Sequence, residues 1–392
     1  MLDRIWPLVL ALLCCLAALA AGLLTTLPAS PPQGQPTPPE PADEDLARAY
    51  VDAQCWHCHS VSQRQDELSR LGVLAAGARP AGPDLSGVGG LYPDGWHFAH
   101  LWQPDAVSWH SHMPAQRHLF ALGGKAGSAN LRGEMVPVPS ATTRKAVQYV
   151  QTLMAPSPQR LPWPRGRHSL TDSGSVVEGK KLFAELCSGC HGADGGGKSA
   201  VSAFFEKPPA NLSGGIMMWR STKAPLPSYD DLYTTLTNGL PGAGMPSFAH
   251  LSESRRAGLV AYLASMHREE FNAYEPQFAE VLGTDAPAFT PEMVERGRAL
   301  FRDQEYYKCS DCHGADGRGD GHLRGEVLRS FGYGPRNLVA ERLRRGYPEG
   351  LYVTLALGLG RAMSGYLKDD ASNEADLWAL VAYVRSINRF ER

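Results

Sequence analysis

The stretch Cys187-Ser188-Gly189-Cys190-His191 sets two thiols three positions apart and places an imidazole directly after the second. This is C-x-x-C-H, the attachment pattern for a c-type haem. The chemistry explains the spacing. Two thiols must reach the two vinyl groups of one porphyrin, and the next residue must hold an imidazole beneath the iron. A short helical turn does all three. The same pattern stands at Cys55-Trp56-His57-Cys58-His59 and at Cys309-Ser310-Asp311-Cys312-His313. A zinc site or a thiol redox pair competes for any single copy. Three copies, each opening a segment of about 120–130 residues, favour three covalently bound haem c groups. Cys55, Cys58, Cys187, Cys190, Cys309 and Cys312 are then the thioether positions, with His59, His191 and His313 as iron ligands.

Outward from the motifs the chain repeats itself. Val177-Glu178-Gly179-Lys180-Lys181-Leu182-Phe183 precedes the second motif, and Val294-Glu295-Arg296-Gly297-Arg298-Ala299-Leu300-Phe301 precedes the third. In both, Gly stands one helical turn before Phe. Both motifs continue His-Gly-Ala-Asp-Gly. Leu259-Val260-Ala261-Tyr262 and Leu380-Val381-Ala382-Tyr383 recur far downstream, with a weaker echo at Ala146-Val147-Gln148-Tyr149-Val150. Each unit so arranged, a helix into the haem motif and a closing helix with an aromatic, resembles the class I cytochrome c fold, in which first and last helices cross.

A second axial ligand is sought at a similar offset in each unit. His59 to Met113 and His191 to Met245 are both 54 residues, and His313 to Met363 is 50. Methionine as second ligand raises the potential and suits electron transfer. Met113-Pro114 and Met245-Pro246 also carry the Met-Pro pair found in the cytochrome c family; Met363 is followed by Ser364. His110, His112 and His118 compete with Met113; Met217, Met218 and Met266 compete with Met245; His322 competes with Met363. The family resemblance further implies a backbone carbonyl beside Pro83, Pro209 or Pro335 as the partner of each proximal imidazole. Plain turn prolines are the alternative. Arg220 and Arg336 are candidates for haem propionates, or simply solvated.

Ile5 to Leu27 carries no charge, contains Cys14 and Cys15, and at about 1.5 Å per residue would reach about 35 Å. A retained transmembrane helix is expected, with a cleaved signal peptide ending near Ala18-Leu19-Ala20 as the alternative. The Pro-rich run from Pro28 to Pro41 reads as a semi-rigid spacer. The remaining composition is globular, with 43% hydrophobic residues, 20% charged and a net charge of −2. Nothing in it points to nucleic acid. The expected fold is all-α, an N-terminal transmembrane helix followed by three class I cytochrome c domains. The expected boundaries are 1–28 anchor, 29–41 linker, 42–156 first domain, 157–171 linker, 172–272 second domain, 273–289 linker and 290–392 third domain.

The first domain has a sharper resemblance. Gly82-Pro83-Asp84-Leu85-Ser86-Gly87-Val88-Gly89-Gly90, Trp96-His97-Phe98-Ala99-His100-Leu101 and Met113-Pro114-Ala115 resemble the monohaem FixO-type subunit of cbb3-type haem–copper oxidases, over roughly residues 1–155. Residues 172–392 are similar to the two class I domains of a FixP-type subunit. The resemblance implies a subunit that takes electrons from a periplasmic donor, such as a small cytochrome or cupredoxin. It would pass them to the catalytic subunit of a haem–copper oxidase or nitric oxide reductase in the inner membrane. The alternatives are a trihaem subunit of a membrane quinoprotein dehydrogenase and a free-standing carrier. No catalytic site is expected in the chain itself, because His/Met iron has no open position.

Overall fold

Six of the fourteen described α-helices begin at a side-chain oxygen that caps them, Asp43, Ser140, Ser175, Ser228, Ser252 or Thr290. In the first repeat α1 (Glu44–Asp52) is capped by the Asp43 side chain, followed by α2 (Gln65–Arg70), α3 (Asp94–Trp102), α4 (Pro104–Val107) and α5 (Ala141–Thr152), which Ser140 caps. The second repeat has α6 (Val176–Leu186), α7 (Ser188–His191), α8 (Tyr229–Asn238) and α9 (Glu253–Ser265). Ser228 and Asp231 close a full capping box on α8. The third has α10 (Pro291–Phe301), α11 (Cys309–His313), α12 (Arg324–Phe331), α13 (Pro348–Leu357) and α14 (Glu374–Ile387). The computed structural model describes residues 43–73, 81–121, 128–129, 135–154, 175–214, 219–222, 226–267, 285–343, 346–360 and 362–391.

In every repeat the first helix crosses the last. An aromatic pair marks each crossing: Tyr50–Tyr149 at 5.0 Å between ring centroids, Phe183–Tyr262 at 5.4 Å and Phe301–Tyr383 at 5.3 Å. Tyr50, Tyr149, Phe183 and Phe301 are almost wholly buried, so these rings anchor the cores around them. Gly179 and Gly297 let the helices approach, since a Cβ on either would overlap the carbonyl of Gly258 or Ala379. The first repeat reaches the same arrangement with the buried Ala47 and Ala49.

Residues 42–392 form one compact unit. A fourth apolar cluster lies between the first two repeats. Ala99, Val201 and Phe205 are buried there, with Trp96, Ala106 and Cys190 packed on them.

The expectation of an N-terminal transmembrane helix is corrected. No helix among the described residues is long and apolar enough to cross a membrane. The longest, α14, has 14 residues and spans about 21 Å against a hydrocarbon core of about 30 Å. Its apolar residues are spent on the third core, where Leu377, Leu380 and Val381 are fully buried. Ile5–Leu27 and the Pro28–Pro41 spacer lie outside the described residues. Helix dominates but is not alone: Phe120–Ala121 pairs antiparallel with Val138–Pro139, and Ser128–Ala129 with Met135–Val136.

Candidate haem-binding sites

Each C-x-x-C-H motif forms one tight turn. The His59 amide donates to the Cys55 carbonyl at 3.0 Å and the His191 amide to the Cys187 carbonyl at 2.9 Å. The imidazole therefore stands one turn beyond the first thiol, as joint attachment and ligation require. In the second and third repeats Gly192 and Gly314 end the turn with φ of 78°, which frees the chain to leave sharply.

A backbone carbonyl receives each imidazole Nδ1: Pro83 at 2.9 Å from His59, Ala210 at 3.0 Å from His191 and Arg336 at 3.0 Å from His313. Only in the first repeat is the acceptor the proline itself; in the others it is the residue after Pro209 and Pro335. The shared feature is the next residue, Asp84, Asn211 or Asn337. Its side chain accepts from the amides of Ser86, of Ser213 and Gly214, and of Val339 and Ala340. The Leu that follows donates to a carbonyl just after the haem motif, Leu85 to Ser60, Leu212 to Gly195 and Leu338 to Gly317, at 2.8, 2.6 and 2.7 Å. The acceptor carbonyl is thus held from both sides. With Nδ1 committed, Nε2 is the nitrogen left to meet iron.

The methionine loops are closed by a common bond. Three residues after Met113, Met245 and Met363, the amides of Gln116, Phe248 and Tyr366 donate to the carbonyls of Leu101, Leu236 and Leu355 at 2.8, 2.9 and 2.9 Å. The acceptors lie near the C-termini of α3, α8 and α13. Leu240 donates to Met245 O at 2.9 Å, and Leu359 to Met363 O at 2.8 Å. The loop of Met363 is therefore the counterpart of the loop of Met245 although Ser364 replaces proline. All three methionines are half-buried.

His110, His112 and His118 are exposed, with His110 stacked on the exposed Trp109. His322 is 69% exposed beside Asp311. Met266 lies against Gly195, just after the second haem motif. Met217 and Met218 fall outside the described residues. Arg220 stands beside the buried Asp231, and Arg336 is bonded across to the second repeat.

The surroundings suit thioether attachment better than thiol redox chemistry. Burial pushes the thiols of Cys55 and Cys190 up to about 11 and those of Cys187 and Cys309 up to about 12. A redox pair needs the opposite shift. All six described cysteines are free. Among the described residues no three His, Cys, Asp or Glu side chains converge as a metal site.

The Trp-His segment, whose His97 and His100 the sequence offers as docking or haem-edge groups or as structural histidines, forms an aromatic column on α3 with Tyr92 just before it. Tyr92 stacks on Trp96 at 4.1 Å and Trp96 on His100 at 4.9 Å. Trp96 Nε1, His97 Nε2 and His100 Nδ1 are buried without a hydrogen-bond partner. Burial, then repulsion from His100, brings His97 down to about 3; burial, then repulsion from His59, brings His100 down to about 4. Buried polar atoms normally find partners. Orphaned polar nitrogens on one helix, with His100 close enough to feel His59, fit a pocket shaped for a group with its own polar arms, as haem propionates are.

Three family models match in order along the chain. The mono-haem subunit/FixO of cytochrome c oxidase matches residues 7–136, subunit III of cbb3-type cytochrome c oxidase matches 174–263, and cytochrome c matches 294–388. The cbb3-type cytochrome c oxidase subunit FixP of Azorhizobium caulinodans is 25% identical over 152 residues, 39% of this chain. The chain spans 43% of the length of that relative. A chain of the Kuenenia stuttgartiensis reducing HAO-like protein complex shares 26% identity at a TM-score of 0.46, over 58% of this chain and all of that one.

Proposed function

The chain is a cbb3-type, FixO/FixP-like cytochrome c, and from that premise we propose that it is a three-haem electron relay serving the catalytic core of a cbb3-type oxidase. Its electrons come from a small donor protein outside the cytoplasm. Residues 42–156, 172–272 and 290–392 are the haem domains of this reading. The axial pairs are His59 with Met113, His191 with Met245, and His313 with Met363.

The observation that supports the reading most strongly is the threefold recurrence of one arrangement. In each repeat an imidazole is pinned through Nδ1 to a carbonyl, and a methionine sits in a loop tied to the end of an earlier helix. Haem held in this way supplies one-electron chemistry at its iron. The chain's own residues do the rest. The carbonyls of Pro83, Ala210 and Arg336 fix the tautomer and the ring orientation. Met113, Met245 and Met363 would supply the second ligand of each iron, and with both positions so filled oxygen would be reduced in the partner.

Proteolysis of the purified holoprotein followed by mass spectrometry tests the sites directly. Haem is expected on each of the three peptides that carry a cysteine pair. A peptide with two unmodified thiols would remove its site from the relay.

A further inference from the structure

Arg336 has two roles at once. Its carbonyl accepts from His313 Nδ1, which sets the proximal imidazole of the third repeat. Its guanidinium leaves that repeat: Nη2 donates to Gly242 O at 2.8 Å, three residues before Met245 in the second repeat's methionine loop. Nη1 donates to Arg342 O at 3.0 Å and lies 3.0 Å from Glu341 Oε2. Arg342, 4% exposed, in turn donates from Nε to Gly90 O of the first repeat at 2.6 Å, with its guanidinium over Phe390 at 4.9 Å. A second bond crosses the same seam, from Gly334 N to Glu206 Oε1 at 3.0 Å.

Hydrogen bonds from a charged guanidinium to carbonyls are among the stronger polar contacts, and the planar fork gives them direction. The seam therefore holds more than two surfaces together. It joins the carbonyl that orients one axial ligand to the loop that presents another. The second repeat also meets the first at its haem motif. Gly189, inside the second haem motif, lies so close to Ala106 O that a Cβ there would overlap it, and Cys190 packs on the same apolar cluster as Trp96.

We propose that Arg336 is a positioning residue that couples the second and third haem sites, making the second repeat the central station of the relay. This rests on the three-haem reading above.

The test uses the isolated, fully loaded chain, so its result is independent of any oxidase. Arg336→Ala keeps the carbonyl that holds His313 and removes the link to Gly242. After rapid partial photoreduction, electron equilibration between the second and third haems is expected to be slower than in the unaltered chain. The potentials of both haems should shift, and that of the first should not. If Arg336→Ala does not load all three haems, Arg336→Lys reads the same step, because a lysine cannot reach the Gly242 and Arg342 oxygens together. Unchanged equilibration in a loaded variant, or a shift confined to the third haem, would overturn the proposal. Loss of oxidase partnership with the Arg336 effect intact would instead defeat only the functional reading.

Discussion

Gly179 and Gly258 meet backbone to backbone where α6 crosses α9, with no room for a Cβ on Gly179 beneath the Gly258 carbonyl. Gly297 stands in the same relation to Ala379. Gly179→Ala and Gly297→Ala are each expected to destabilise their own repeat by about 1–3 kcal/mol, the usual cost of overpacking a tight site. Gly258→Ala is the contrast, because its new Cβ would lie 3.2 Å from Ser175 O and alanine is the better helix former. Thermal unfolding followed by circular dichroism should rank Gly179→Ala well below Gly258→Ala. Equal losses would mean that the crossing does not depend on this contact.

Met363 reaches its loop without the proline that follows Met113 and Met245. Met363→Ala is expected to abolish the methionine-ligand absorption band of the third haem and to lower its potential. Met245→Ala should do the same at the second. Met266→Ala should leave the second haem's band in place, since that residue lies against Gly195. An unchanged third haem in Met363→Ala would sink the assignment.

Burial keeps His97 neutral down to about 3. In the unfolded chain the same group takes up a proton near pH 6.5. Below that pH the unfolded state binds more protons, so the folded first repeat loses stability as pH falls from about 6.5 toward 3. One such group contributes a slope of at most about 1.4 kcal/mol per pH unit. Denaturant melts between pH 7 and pH 4 should show the slope, and His97→Gln should reduce it. A melt independent of pH would contradict the burial.

The close approach of Gly189 to Ala106 O makes the second haem motif part of the seam with the first repeat. Gly189→Ala is expected to loosen α4 and α3 while both cysteines still attach. Hydrogen exchange of α3 amides should rise in the variant. Unchanged protection would place the seam's strength elsewhere.

The sequence shows the crossing helices clearly, because Gly one turn before Phe and a downstream aromatic together mark a helix pair that must pack closely. The helix starts at Ser175, Ser252 and Thr290 are set by capping side chains that the structure shows. The partner of each proximal imidazole was harder to read. Proline drew attention in all three loops, whereas the geometry follows the Asp or Asn one residue beyond the acceptor, and its side chain folds the loop. Arg336 and Arg342 were unreadable in principle: their partners Gly242 and Gly90 lie 94 and 252 residues away, and a carbonyl acceptor leaves no mark in a sequence. The apolar run of residues 5–27 drew the membrane expectation from length alone, and the described helices include none that meets it.

The most direct test of the relay is a pyridine haemochrome spectrum of the protein purified with its native partners in mild detergent, combined with oxygen consumption. The account expects three haems c for each copy of this chain, accompanied by haem b and by oxygen uptake that depends on a reduced donor. Haem c alone, with no oxygen consumed, would contradict it and point to a dehydrogenase subunit or a free-standing carrier.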